Sequence, residues 1–472
     1  MMILSLSING QNFSPYTQWT GLEVNVQKGE NYTISAELSN IKLIGDGWQF
    51  FINNPKLVYP AQIAIFDNSN NIVLNGKISP GNVIYGVDYV IISIELDNVS
   101  EFTRKVEGKL AEDSWFETAN VVISPKDNHI IILGVIGLLS LVYQYFNEVQ
   151  TIAALASGLP TNPGGAIPLA LHIAYLALLI VTIHSLIGEL LKILPHIEKL
   201  KAQRLGTLLL KFANYAGFTV SYPAVLDNVW IVGGTPVDYE AGEVFLLAKQ
   251  LTNTYIYVVG NEIKFINNND SIDSSFQRAY EFEYKLNYNE RARREIITLT
   301  RDTADSYCID LPSAVEIVRK PVTVGYKRVD LPYAPATRAG KLKGMQILDA
   351  IMPAINFLYG GVNFSNNYQN FIKVEREFFQ RKLVYASDIN NVSDDNSYTL
   401  LNSIVLPNYS NQPILKIYEN VKIPFNLQDF LTLHTQGWKG VRELRWHVFS
   451  EFCEITYQVK ESNDEIESIR IV

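Results

Sequence analysis

The six histidines (His129, His172, His184, His196, His434 and His447) and two cysteines (Cys308 and Cys453) are the side chains best suited to ligate a metal or attack a substrate. A helix-borne zinc site needs two histidines four residues apart on one face, and no pair here has that spacing. His172, His184 and His196 lie twelve apart, so on one continuous helix each steps about 120° around the axis and the three do not converge as ligands. An imidazole inside an apolar stretch could act as a pH switch, but polar spots facing a partner helix or water are the simpler account. Two cysteines exclude a disulfide scaffold and a four-cysteine zinc site within one chain, and they read as small buried apolar side chains. GxGxxG, P-loop, GxSxG, HExxH and CxxC patterns are all absent. With 48 carboxylates, Asp/Glu pairs of the glycosidase kind are inevitable, and no further pattern supports one. The chain is therefore expected not to be an enzyme, with no catalytic residue, metal or cofactor. The segment Trp438–Trp446 (WKGVRELRW) holds two tryptophans and two arginines and could form a recognition surface. A helix or strand pair packing one aromatic inward is the preferred expectation.

The elements that would position any site are written into charge and hydropathy. Between Asn128 and Gly188 the chain runs 61 residues with one charged side chain, Glu148, where its 18% average would place about eleven. Two apolar blocks, Ile130–Phe146 and Ala166–Leu194, are joined by the Gly/Pro/Asn-rich segment 157–165, which predicts a hydrophobic helical hairpin. Its second arm, 29 residues or about 43 Å of helix, exceeds the ~30 Å hydrocarbon core of a bilayer, and its first arm of 17 residues is at the short limit. Lys109 and Lys126 precede the hairpin and Lys192, Lys199, Lys201 and Arg204 follow it, while the connecting segment carries no charge. A hairpin with both ends on one side of a bilayer has this pattern. The candidate contact residues are Ile130, Ile131, Leu133, Ile136, Leu138 and Leu139 on the first arm. On the second arm they are Leu169, Leu171, Ile173, Leu176, Leu178, Leu179, Ile180, Val181 and Ile183. Helices apolar all round belong in a bilayer or a core, so the alternative is a self-shielded bundle between copies of the chain. Gly134, Gly137, Ala170, Ala174 and Ala177 suit close helix packing in either setting.

Around this insertion the chain reads as strand-rich. Gln62–Asp67 and Ile72–Ile78 flank an Asn/Ser loop, and Val90–Leu96 alternates at period two, as in a small antiparallel barrel or sandwich. From Leu200 to Ile266 the order is helix, strand, strand, helix, strand, strand, with Gly217 stopping the first helix. Further strands are expected at Ala279–Leu286, Ile296–Leu299, Val322–Tyr326, Ile414–Val421 and Glu454–Lys460, and an amphipathic helix at Gly344–Asn356. The net charge of −9 argues against a general nucleic-acid binder, and no sequence-specific nucleic-acid partner is expected. The one basic cluster, Arg291, Arg293 and Arg294, sits between Glu290 and Glu295 and reads as a solvated face or turn. Met1–Gly10 lacks the basic and apolar regions of a signal peptide, so synthesis in a cytoplasm is expected.

Three stretches carry a resemblance. "AQIAIFDNSNNIVLNGKI" (61–78), "LGTLLLKFANYAGFTVSY" (205–222) and "AGEVFLLAKQLTNTYIYVVGNEIKFI" (241–266) resemble the barrel and helix–strand modules of the bacteriophage tail-hub family. The likeness covers roughly residues 1–122 and 198–330; the apolar hairpin departs from the family pattern. It implies an α+β, strand-rich fold of small β-barrel modules plus a helix–strand module. The expected division is an N-terminal barrel at 1–122, the hairpin insertion at 123–198, a small α+β module at 199–270, a second barrel region at 271–335 and a C-terminal module at 336–472. The resemblance implies a structural tail-tip or baseplate hub, made in the host cytoplasm and carried in the virion. It would form a homotrimeric ring at the end of the tail tube, with other tail-tip, tail-tube and fibre proteins as partners and a hairpin directed at the host membrane. Two alternatives remain at this point: a membrane-anchored assembly protein of a cellular secretion apparatus, and an envelope-degrading tail enzyme.

Overall fold

Period-two alternation turns one face of each strand inward. In Tyr89–Glu95 the buried residues are Val90, Ile92 and Ile94, and their neighbours are half-buried. The strand Ile34–Ile44 keeps its even-numbered residues inward as far as Leu38. Its register then shifts between Leu38 and Ile41, with Asn40 at φ 65°, so the odd-numbered Ile41 and Leu43 become the buried ones. One extra residue changes the inward parity without breaking the sheet.

The computed structural model describes all residues other than 1–4, 20, 29–33, 55–60, 67–71, 79, 97–98, 125–127, 159–162, 194–195, 236–237, 278–282, 290, 301–311, 321, 323–324, 339–370, 376–380, 393–395 and 463–464. The fold is mixed α/β with several sheets, in keeping with an α+β class. A 13-stranded sheet joins strands drawn from residues 5–95 to strands drawn from residues 414–462, with Lys285–Leu286 at one edge. The joint is an antiparallel pairing of Val441–His447 with Glu23–Lys28, in which Trp446 lies opposite Val24 and Leu444 opposite Val26. A 7-stranded sheet collects Glu117–Ser124, His196–Arg204, Val229–Val232, Ile372–Glu375 and Lys382–Tyr385 with two short edge strands. A 3-stranded sheet (Thr219–Ser221, Glu262–Asn267, Thr254–Val259) and a 4-stranded one (Tyr326–Leu331, Arg294–Leu299, Ala314–Lys320, Glu465–Ile471) complete the body. Strand pairing thus runs across the stretches marked out along the sequence.

Two helices, Leu205–Ala216 and Ala241–Thr252, supply Leu205, Leu208, Leu209, Phe212, Val244, Leu247 and Leu251 to one core. Beneath the large sheet a second core contains both Trp438 and Trp446. Both tryptophans are buried, so the expectation of a single inward aromatic in this segment is corrected. Trp438 sits in a left-handed turn (φ 60°) after Gly437, and this brings its ring against Phe430, while Trp446 stacks on Phe430 from the strand. The expected strand at Val322–Tyr326 is also corrected: the strands are Ala314–Lys320 and Tyr326–Leu331, separated by Gly325 at φ 114°. Only glycine holds that angle without strain, so Gly325 itself does not continue the strand. The helix expected at Gly344–Asn356, the loop Asn68–Asn71 and Cys308 lie outside the described residues. Cys453 is a free, buried thiol.

Of the basic cluster, expected as a solvated face or turn, Arg294 is exposed and Arg293 half-buried, and Arg291 departs from that expectation. Arg291 is buried, Arg293 donates to the Arg319 carbonyl at 2.6 Å and pairs with Glu467, and Arg294 pairs with Glu316 at 2.5 Å. Nearby, the buried Arg319 pairs with buried Glu295 at 2.8 Å and donates to the Tyr409 carbonyl at 2.6 Å. These bonds tie the 4-stranded sheet to the helical turn ending at Ser410.

The helix Leu427–Thr435, capped reciprocally by Asn426 and Asp429, presents His434 to the 3-stranded sheet, where Nδ1 lies 2.7 Å from the Tyr257 hydroxyl. Burial, with a smaller contribution from Lys264, pushes the His434 pKa down to about 4. Below the ordinary value of 6.5 the unfolded chain accepts a proton that the folded chain refuses, so this group removes stability as pH falls from 6.5 towards 4. His434→Gln is expected to flatten that part of the pH dependence relative to the wild type, measured as urea midpoints at several pH values between 4 and 7.

Candidate membrane-contact site

The hairpin is mounted on a ribbon. Glu117–Ser124 and His196–Arg204 pair antiparallel from Glu117 opposite Ala202 to Ile123 opposite His196. The chain leaves this ribbon as the helix Asn128–Gly158 and returns through Ala166–Ile193. The first helix runs well past Phe146, where the sequence reading ended it, and continues through Glu148. The physical reason lies on the opposite arm: the His172 ring nitrogen Nδ1 is hydrogen-bonded to the Glu148 carboxylate. The one acid in the charge gap therefore has a partner, and the helix need not end to expose it to water.

The two arms meet closely at a glycine. A Cβ on Gly134 would stand 2.4 Å from Leu190 Cδ2, whereas one on Gly137 would meet Leu186 at an ordinary 3.8 Å. Val135 and Leu138 pack from the first arm, and Leu179, Ile183, Ile187 and Leu190 from the second; all are buried. The hydroxyls turn back on their own helix: Thr151 donates to the Asn147 carbonyl at 3.0 Å and Thr182 to the Leu178 carbonyl at 2.9 Å. His184 Nδ1 lies 3.0 Å from the Ile180 carbonyl. Ser140, Gln144, Asn147 and Gln150 remain exposed on the first arm, and Ser185 and Glu189 on the second.

Of the fifteen contact residues read from sequence, Leu138, Leu179 and Ile183 are buried in the seam between the arms. Leu169 and Leu176 are half-buried. Eight face outward: Leu133, Ile136, Leu139, Leu171, Ile173, Leu178, Ile180 and Val181, with Leu133 at 68% and Val181 at 66% exposure. Ile130 and Ile131 fall within the first helix, and their side chains lie outside the described residues. The stretch Ala166–Leu190 is long and apolar enough to cross a membrane, and only 11% of its most apolar window is buried within the chain. A monomer seldom shows water a continuous apolar surface of this size.

Three features went unseen in the sequence: the Glu148–His172 pair, the contact of Gly134 with Leu190, and the bond of Tyr175 to Gln144 Oε1 at 3.4 Å. A signal for the first was present. Glu148 and His172 lie equally far from residue 160 in the connecting segment, so an antiparallel pairing of the arms places them level. Among the described residues, no group of three or more His, Cys, Asp or Glu could hold a metal ion. No family model matches the chain, and no curated protein matches its sequence.

Gly134→Leu is expected to overpack the seam and destabilise the hairpin by about 1–3 kcal/mol. Gly137→Ala should be close to neutral. Thermal melts in detergent, followed with a fluorophore on the hairpin, separate the two outcomes.

Proposed function

We propose that this chain is a structural protein that carries an apolar helical hairpin into a lipid bilayer from a strand-rich body. The observation that carries the reading is the outward aliphatic surface of both arms, from Leu133 to Leu139 and from Leu171 to Val181. Burying one such side chain is worth roughly 1.5–3 kcal/mol, so eight of them make continued contact with water costly. The antiparallel ribbon whose strands flank the hairpin in sequence supports its attachment to the body.

With the likeness of residues 61–78, 205–222 and 241–266 to tail-hub modules, the reading extends to the tail-tip hub of a bacteriophage virion. In that role small β-barrel modules form a homotrimeric ring continuing the tail tube. Tail-tube, tail-tip and fibre proteins dock on the ring, and the hairpin enters the host membrane. The protein acts by assembly and not by catalysis.

Deletion of residues 128–195 is expected to leave particle assembly intact and to abolish DNA delivery, scored by particle yield and by genome entry. Loss of the trimer in the deletion would overturn the lipid-directed hairpin in favour of a bundle shared between copies. Retention of the full-length chain in host membranes, with none in particles, would instead indicate a permanent anchor of a cellular apparatus.

A further inference from the structure

The hairpin's aromatic residues are not spread along it. In residues 128–193 the only Phe, Tyr or Trp side chains are Tyr143, Tyr145, Phe146 and Tyr175. The fold brings all four to one level, marked by the Tyr175–Gln144 bond, immediately beside the Glu148–His172 pair. Tyr143 is 69% exposed, Phe146 50% and Tyr175 44%, so the belt faces outward. Tyrosines with an apolar ring and a polar tip collect where hydrocarbon meets headgroups.

The spacing to the base agrees. On the first arm His129 and Glu148 are nineteen residues apart, about 29 Å of helix; on the second His172 and Glu189 are seventeen apart, about 26 Å. The hydrocarbon core is ~30 Å thick. Between these bounds Leu133, Ile136, Leu178 and Val181 face outward; Ser140, Thr182 and Ser185 are exposed there too, and Gln144 and Asn147 lie at the aromatic level. His184, the other ionisable group between them, lies against the Ile180 carbonyl of its own helix. A shallower register, with the tip just reaching the far headgroups, would hold Tyr143 and the Glu148–His172 pair inside the hydrocarbon, where exposed hydroxyls and ionisable groups are costly.

We infer that the hairpin crosses the whole bilayer, with the four aromatics and the Glu148–His172 pair at the far headgroup layer and residues 149–158 and 163–170 emerging beyond it. The inference rests on the reading that the hairpin enters lipid, and it specifies how far.

The test places a thiol-linked nitrobenzoxadiazole dye at the tip, Ser157→Cys in a Cys308→Ala background, with the full chain added to vesicles of phosphatidylcholine and phosphatidylglycerol. Cys453 is buried and does not compete for the dye. The expected result is a dye protected from dithionite added outside, extinguished by dithionite trapped in the lumen, and emitting as in water. Protection from both, with blue-shifted emission, would overturn the full crossing and leave lipid entry standing. Extinction by external dithionite would overturn lipid entry itself. Tyr143→Leu with Tyr175→Leu should reduce the lumen-accessible fraction, and an unchanged fraction would show that the aromatic belt does not set the depth.

Discussion

Everything distinctive about this chain depends on one antiparallel ribbon, in which Glu117–Ser124 and His196–Arg204 are hydrogen-bonded along their length. A ribbon allows no independent movement of its two strands, so the helices that extend from it leave side by side and in opposite senses. Backbone groups within the helices bond internally, which is the condition for existing in hydrocarbon at all. The ribbon is the inner part of the 7-stranded sheet, flanked by Val229–Val232 on one side and Ile372–Glu375 on the other. The strands that precede and follow the apolar hairpin are thus held in the body by main-chain bonds.

The body has its own constraint. The strand Val441–His447 pairs with Glu23–Lys28, so distant parts of the chain share one sheet and one core. The buried Arg319–Glu295 pair adds a polar contact with a directional requirement, reinforced by Lys327 at 3.2 Å from Glu295. Buried pairs of this kind contribute little net stability over apolar packing but are costly to break singly. Their role here is to fix how the 4-stranded sheet meets the turn around Tyr409.

Local elements were legible in the sequence where local physics decides them. Val229–Val232 and the helix stopped by Gly217 match because a short apolar run and a left-handed cap act over a few residues. The hairpin was legible because two long apolar blocks, almost free of charge and broken once by Gly and Pro, fit few folds besides a helix pair. What the sequence could not show was long-range partnership. Nothing local says that residues 441–447 complete a sheet begun at residue 23, or that Trp438 turns inward. The first helix was read too short because Glu148 looks like a terminus until its partner on the other arm is known. Gly325, at a positive φ, directly precedes the strand Tyr326–Leu331, which the apolar pattern alone would have started earlier.

The sharing of one sheet between distant segments has a consequence for biosynthesis. Translation proceeds at about 5–20 residues per second. The second hairpin helix ends at Ile193, whereas the strand completing the large sheet ends at Ser462. For on the order of tens of seconds the nascent chain therefore carries an apolar hairpin while the body that should hold it cannot close. The ribbon beneath the hairpin can already form, because its second strand follows at once. Until closure, whatever keeps the newborn hairpin from its own copies must come from outside the unfinished body.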